Sequence, residues 1–247
     1  AMGIKGTGAA REAAEMVLAD DNFASIEHAV EEGRTVYDNI KKAIMFILPT
    51  NAGEAGIIIA AIVLGRMLPI TPVQILWINM ITAVTLALSL AFEPPEQGVM
   101  KRPPRDPKES IFSAFLLWRI GFVALILVIG TFGLFLLERN LGASIETART
   151  VAVNTLVMFE VFYLFSARYL RDPALAREGI FGNSYAIAAV VLVMVFQILF
   201  TYTSPMQRLF GTADISMICW LRIILVAACV LVLVEMEKYF LRKGLFL

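Results

Sequence analysis

Apolar residues in this chain come in long blocks rather than with a period of two or of 3.6. Six runs stand out, at about 43–65, 70–92, 111–137, 148–167, 185–203 and 215–236. Each is long enough to cross a hydrocarbon core roughly 30 Å thick, which takes about 20 helical residues. Strands of an outer-membrane barrel need only ~10 alternating residues each, so uninterrupted runs of this length predict helices. The expected fold is an all-α membrane protein with six transmembrane helices.

The first 35 residues differ in kind. They are charged, contain no span, and lack the basic-then-apolar order of a secretory signal. Ala9 to Met16 reads as a short helix and Val17 to Ala19 as a brief strand. Asp21 or Asn22 is the expected N-cap of the next helix, since a side-chain acceptor there satisfies a free N–H of the first turn. From Phe23 to Leu64 the pattern predicts one continuous helix of about 60 Å, half of it outside the bilayer. Residues 1–35 are too few to bury a core of their own. They read as the end of a cytoplasmic α/β domain plus the start of a stalk helix. Residues 36–247 form the six-helix region, with a Pro-rich loop at 93–109. The chain therefore reads as the C-terminal part of something longer.

Composition sharpens this picture. Apolar residues make up 59% and charged residues 17%, against about 45–50% and about 25% in soluble domains. Lys+Arg and Asp+Glu balance at 21 each, and without a basic tract nucleic acid is not an expected partner. The lipid bilayer is. Lys and Arg near the span ends set the orientation. Lys41, Lys42, Lys101, Arg102, Arg105, Lys108, Arg168, Arg171, Arg177, Lys238, Arg242 and Lys243 fall on one side, against Arg66, Arg139, Arg149 and Arg208 on the other. The bias places both termini and the Pro-rich loop in the cytoplasm, and the plasma membrane is the expected location.

Polar residues inside the spans carry the chemistry, because an ionisable group at mid-span costs about 2.5–3.5 kcal/mol on insertion scales. Asn51 and Glu54 lie three apart in the first span and so share a helix face. Pro49 cannot donate to the Met45 carbonyl, which frees an oxygen and invites a kink, while Gly53 and Gly56 admit a close neighbour. Asn79 and Thr82 repeat the three-residue spacing in the second span, and Thr85 continues it. The fourth span carries Asn154, Thr155 and Glu160. Carboxylate, amide and carbonyl oxygens are the ligands a hard cation takes. Arg119 and Arg222 lie nearer the span ends, where they are expected to snorkel to water. The two acids must then be protonated or hold a cation.

Other polar positions read more plainly. Gln197 and Tyr202 suit packing or interface roles, His28 a solvated surface, and Cys219 and Cys229 small apolar packing. No phosphate-binding glycine loop, nucleophile–base pair or Cys/His metal cluster is present in the sequence.

Four stretches together resemble one family: AAEMVLADDNFASIEHAVEEGRTVYDNIKKAI, NAGE in the first span, LWINMIT in the second, and FEPPEQGVMKRPPRDPKESI in the loop. In this order they resemble the C-terminal third of type II P-type ATPases, most of all the calcium pumps of the sarcoplasmic reticulum kind. The resemblance implies the last six of ten transmembrane helices, preceded by the tail of the phosphorylation domain. It implies that Asn51 and Glu54 match fifth-helix cation ligands, Asn79 and Thr82 sixth-helix ligands, and Glu160 an eighth-helix carboxylate. The partner it implies is the N-terminal part of the same pump, with the first four helices and the actuator, nucleotide and phosphorylation domains. ATP and Mg²⁺ would belong to that parent, since the DKTGT phosphorylation motif does not occur here. One position departs from the family: Ala83 stands where the calcium pumps place an Asp after the sixth-helix Thr. With that carboxylate gone, the transported cation is expected to be one divalent ion at most, or monovalent Na⁺, K⁺ or H⁺ in place of paired Ca²⁺. Two other classes compete with the pump, a six-helix secondary transporter or channel-like protein, and a non-transporting membrane fragment.

Overall fold

The computed structural model describes residues 1–96, 98–104, 112–169 and 182–243. Within the Pro-rich loop and the set of basic residues that fixes orientation, positions 97 and 105–109, with Arg105, Lys108, Arg171 and Arg177, lie outside the described residues.

Six helices are long and apolar enough to cross a membrane. In chain order the elements are α1 (Gly8–Glu12), α2 (Ala24–Val63), α3 (Pro72–Thr82), α4 (Ala114–Asn140), α5 (Ile145–Ala167), α6 (Ser184–Tyr202), the short α7 (Ser204–Phe210) and α8 (Met217–Arg242). Helix α3 runs on as a π-helical turn over Ala83–Ala87 and a 3₁₀ turn over Leu90–Phe92. Side chains define most of the starts. Thr71 and Gln74 form a reciprocal capping box with Pro72 in the first turn of α3. Ser113, Ser144, Asn183 and Ser216 accept N–H bonds at the starts of α4, α5, α6 and α8.

The long helix spans 40 residues, close to its predicted limits. Its N-cap is Phe23 rather than Asp21 or Asn22. Asp21 is diverted because its carboxylate accepts the N–H groups of Ile4 and Lys5, both at 2.8 Å, with its backbone left-handed at φ 53. Asn22 accepts instead from Ala24 N at 3.0 Å. The expected helix over Ala9 to Met16 is shorter, at Gly8–Glu12, because the chain beyond Ala13 is drawn alongside the first residues. Leu18 N donates to Ala1 O and Gly3 N to Leu18 O. The expected strand at Val17 to Ala19 amounts to a single parallel bridge between Met2 and Leu18, and no strand occurs among the described residues.

Helix α5 is the axis. Eighty-nine per cent of its apolar window is buried, against 28–44% for the other five spans, and it packs on α2, α3, α4, α6 and α8. Helices α2 and α4 pack together through Gly53 and Gly56, where an added Cβ would stand 2.8 Å from Leu127 and 2.7 Å from Val128. This is the close approach that small residues permit between membrane helices.

The N-terminal half of α2 is fastened to the loop after α3. Arg34 donates to the carbonyls of Val99 and Arg102 at 2.7 and 2.9 Å, and Asn39 to Glu93 O at 2.9 Å. Lys42 pairs with Glu96 at 3.2 Å. Arg102 bridges Asp38 and Glu96 at 2.7 and 2.6 Å.

Candidate functional site

The site gathers where α2, α3 and α5 meet. Glu54 is buried on α2, and its Oε2 accepts from Asn79 Nδ2 of α3 at 2.6 Å. Asn79 also donates to Ile75 O at 3.2 Å, which holds its amide in place. Thr82, one turn further along α3, bonds back to Ile78 O at 3.0 Å and stands beside the Glu160 carboxyl of α5. Glu160 is 1% exposed. One of its oxygens, Oε2, has no hydrogen-bond partner, and Glu54 is near enough for the two charges to interact.

Four of the five expected residues, Glu54, Asn79, Thr82 and Glu160, thus adjoin one another. Asn51 does not. It is exposed on the flank of α2 and makes no hydrogen bond to the other four. Residues three apart on a helix differ by about 60° in direction, and here that places Glu54 inside the bundle and Asn51 outside it. Ala83 is exposed as well. Thr85 falls in the π-turn, a rare form concentrated at functional sites. There it is half-buried and bonds back to Ile81 O.

Two expectations need correction, for the Met45 carbonyl and for Arg119. The Met45 carbonyl freed by Pro49 faces no ion site, because Tyr163 Oη donates to it at 2.7 Å. Arg119 does not snorkel: it is 1% exposed and paired with Glu237 of α8 at 2.7 Å. Arg222 pairs with Glu138 of α4 at 2.7 Å. Arg119 is thus neutralised away from water, while the Arg222 side chain, 34% exposed, meets its acid and still reaches solvent.

The other polar groups are absorbed into packing. Asn154 donates to Thr150 O and Thr201 Oγ1 and accepts from Gln197. Gln197 in turn accepts from Trp77 Nε1 at 3.0 Å, so this network is closed on itself. Thr155 bonds back to Val151 O. Tyr202 donates to Ile215 O and accepts from Trp220 Nε1. His28 is exposed, Cys219 is buried and Cys229 exposed.

Every ion pair found among the described residues uses an acid other than Glu54 or Glu160. Sequence reasoning missed Tyr163, although it stands three residues after Glu160, at the spacing that linked the other candidates. It also missed Glu138 and Glu237, the acids that hold the two arginines.

The family model described as "Cation transporting ATPase, C-terminus" matches residues 67–240. The probable cation-transporting ATPase F of Mycobacterium tuberculosis is 48% identical over 237 residues, covering 96% of this chain and 26% of the relative. A cation-transporting ATPase of Synechocystis is 40% identical, with 96% of this chain and 26% of the relative covered. A calcium-transporting ATPase of Bacillus subtilis is 36% identical, with 90% and 25% covered. The chain therefore spans about a quarter of the length of these relatives. Six membrane helices in this order, and a match over most of its length, place the chain in the cation-transporting ATPase family, as the C-terminal membrane region.

Proposed function

We propose that the chain forms the C-terminal membrane portion of an ATP-driven cation pump, and that Glu54, Asn79, Thr82 and Glu160 bind the ion in transit. The observation that carries this reading is the pair of buried carboxyls at mid-span, mutually close and without a basic partner among the described residues. Neighbouring carboxylates in a low-dielectric site are stable only when protons or a cation neutralise them. An amide and a hydroxyl complete an oxygen ligand set suited to a hard cation. Asn51 joins them from the exposed flank of α2 once the remaining helices of the pump cover that face.

With Ala83 where a third carboxylate would stand, the site balances a single divalent ion, or monovalent Na⁺, K⁺ or H⁺. ATP and Mg²⁺ act on the parts of the pump outside this chain. Residues 1–35 close the phosphorylation domain, and α2 carries its movement to Glu54. Both termini face the cytoplasm, in the plasma membrane. The close likeness to cation-transporting ATPases along nearly the whole chain favours the pump over a secondary transporter, a channel or a non-transporting fragment.

The test is phosphoenzyme formation from ATP in a full-length pump carrying this chain, with Ca²⁺, Na⁺ and K⁺ titrated separately. One of them should stimulate the wild type, and Glu54→Gln should weaken that response at least about tenfold, the scale of a lost charged ligand. Unchanged ion dependence in Glu54→Gln would make Glu54 a buried structural acid.

A further inference from the structure

Pro49 sits in the middle of α2, five residues before Glu54, and its ring nitrogen cannot donate to Met45 O. Both residues are buried, so an unanswered carbonyl there would carry the full cost of desolvation. The missing donor is supplied from another helix. Tyr163 Oη reaches Met45 O at 2.7 Å, and the tyrosine is fully buried with its ring stacked on Phe46 at 6.1 Å between centroids. The Arg119 guanidinium stands beside the same hydroxyl, leaving the phenolic proton for the carbonyl.

Tyr163 comes three residues after Glu160 on α5, so hydroxyl and carboxyl leave neighbouring positions one turn apart. The two helices that carry the acids are therefore tied together at the one break in the hydrogen-bond ladder of α2. Thr50 Oγ1 bonds back to Phe46 O and Ile47 O at 3.1 Å, a pattern that favours bending of a helix at this point. On one side of the break α2 is held by the loop after α3. On the other it carries Glu54.

We infer that Tyr163 is a positioning residue, whose bond to Met45 O sets the angle of α2 beyond Pro49 and with it the separation of Glu54 from Glu160. The inference rests on the reading of these acids as cation ligands. It has a specific signature, because an N–H restored at position 49 would do the hydroxyl's work. The importance of Tyr163 must then depend on Pro49.

The experiment compares Tyr163→Phe, Pro49→Ala and the double variant in a full-length pump carrying this chain. Two readouts are taken: the half-saturating Ca²⁺, Na⁺ or K⁺ concentration for phosphoenzyme formation, and thermal unfolding in detergent without added stimulating cation. Tyr163→Phe should raise half-saturation about tenfold at unchanged maximal phosphoenzyme, the order of one hydrogen bond. In the Pro49→Ala background the same change should shift it less than about twofold, since coupled sites are non-additive. Unfolding should show the same dependence, with Tyr163→Phe lowering the melting temperature only where Pro49 is present. Equal shifts in both backgrounds, or no shift in either, would overturn the assignment. If Tyr163→Phe yields no folded protein, recovery in the double variant supports it and continued failure overturns it. If no cation stimulates the wild type, the pump reading fails on its own, while the unfolding cycle still decides whether Tyr163 and Pro49 are tied.

Discussion

Buried acids in this bundle are treated in two ways. Glu93, Glu138 and Glu237 each face an arginine, Arg168 at 2.6 Å and Arg222 and Arg119 at 2.7 Å. Glu54 and Glu160 face an amide, a hydroxyl and each other. The paired acids lie near helix ends, within the last two turns of α4 and α8 or just past the turn that ends at Phe92, where a fixed counter-charge fastens one helix to another. The unpaired acids lie inside the spans, Glu160 on the axial helix α5 and Glu54 on α2, which packs against it. A fixed arginine there would end any exchange of ions; under the proposed function the charge left open is the one a mobile cation neutralises.

The largest expected effect comes from breaking a paired acid. Arg168 and Glu93 are 0% and 2% exposed, and Asn183 Nδ2 also donates to Glu93 at 2.7 Å. Arg168→Leu strands that carboxylate and should cost about 3–5 kcal/mol of stability. Adding Glu93→Gln, which keeps an acceptor for Asn183, should recover most of the loss, since removing a whole buried pair is often nearly neutral. Thermal unfolding of the detergent-solubilised pump measures both. A loss below about 1 kcal/mol for Arg168→Leu would erase the distinction between the two sets.

The unpaired set should respond in the opposite way. Without stimulating cation, Glu160→Gln should leave stability within about 1 kcal/mol, because no fixed charge is orphaned. The difference should emerge when the stimulating ion is added. At a hundredfold excess over Kd the wild type should gain about 2.7 kcal/mol by mass action, and the variant far less. Equal stabilisation of the two would remove Glu160 from the site.

The sequence and the structure part company at recognisable places. All six spans were legible because hydrophobic length is a local property, and α2 was legible nearly to its ends because Gly33 is the only breaker before Pro49 and an apolar run carries the pattern beyond it. Glu54 and Asn79 were each legible as polar residues inside a span, and the resemblance alone put them in one site; their 2.6 Å contact is what the fold adds. The ion pairs were not legible. Arg119 and Glu237 are more than a hundred positions apart, and nothing near either residue distinguishes an arginine that snorkels from one that meets an acid. The exposure of Asn51 beside the buried Glu54 was not legible, because a spacing of three leaves about 60° of rotation, enough to cross from the interior to the rim. The π-turn at Ala83–Ala87 was hidden because AVTLA contains no glycine or proline to mark it.

A carboxylate added beside the unpaired set tests it from another direction. Ala83 lies one turn past Asn79 and is exposed, so Ala83→Asp adds a charge at the rim of the site without displacing packed atoms. It should favour Ca²⁺ over Na⁺ or K⁺ by roughly tenfold, equivalent to about 1.4 kcal/mol. Ion-stimulated phosphoenzyme formation reads the ratio. No change in ratio would place Ala83 outside the reach of the ion.

The smallest effect should come from the ion pairs that water reaches. Arg102 contacts Asp38 and Glu96 at 2.7 and 2.6 Å, distances as short as those inside the bundle. Its side chain is 43% exposed, however, against 1% or less for Arg119 and Arg168. Solvent screens an exposed pair and already solvates its partners, so its net worth is about 0–1 kcal/mol. Arg102→Ala should therefore cost less than about 1 kcal/mol, and about 0.5 M salt should remove most of that difference. The comparable unfolding measurement on Arg168→Leu should be nearly insensitive to salt, because no ion reaches the stranded carboxylate. If Arg102→Ala were as damaging as Arg168→Leu, contact distance would outweigh burial, and the loop after α3 would grip α2 through charge. If it is mild, the grip rests on Arg34 and Asn39, whose bonds go to backbone carbonyls of that loop.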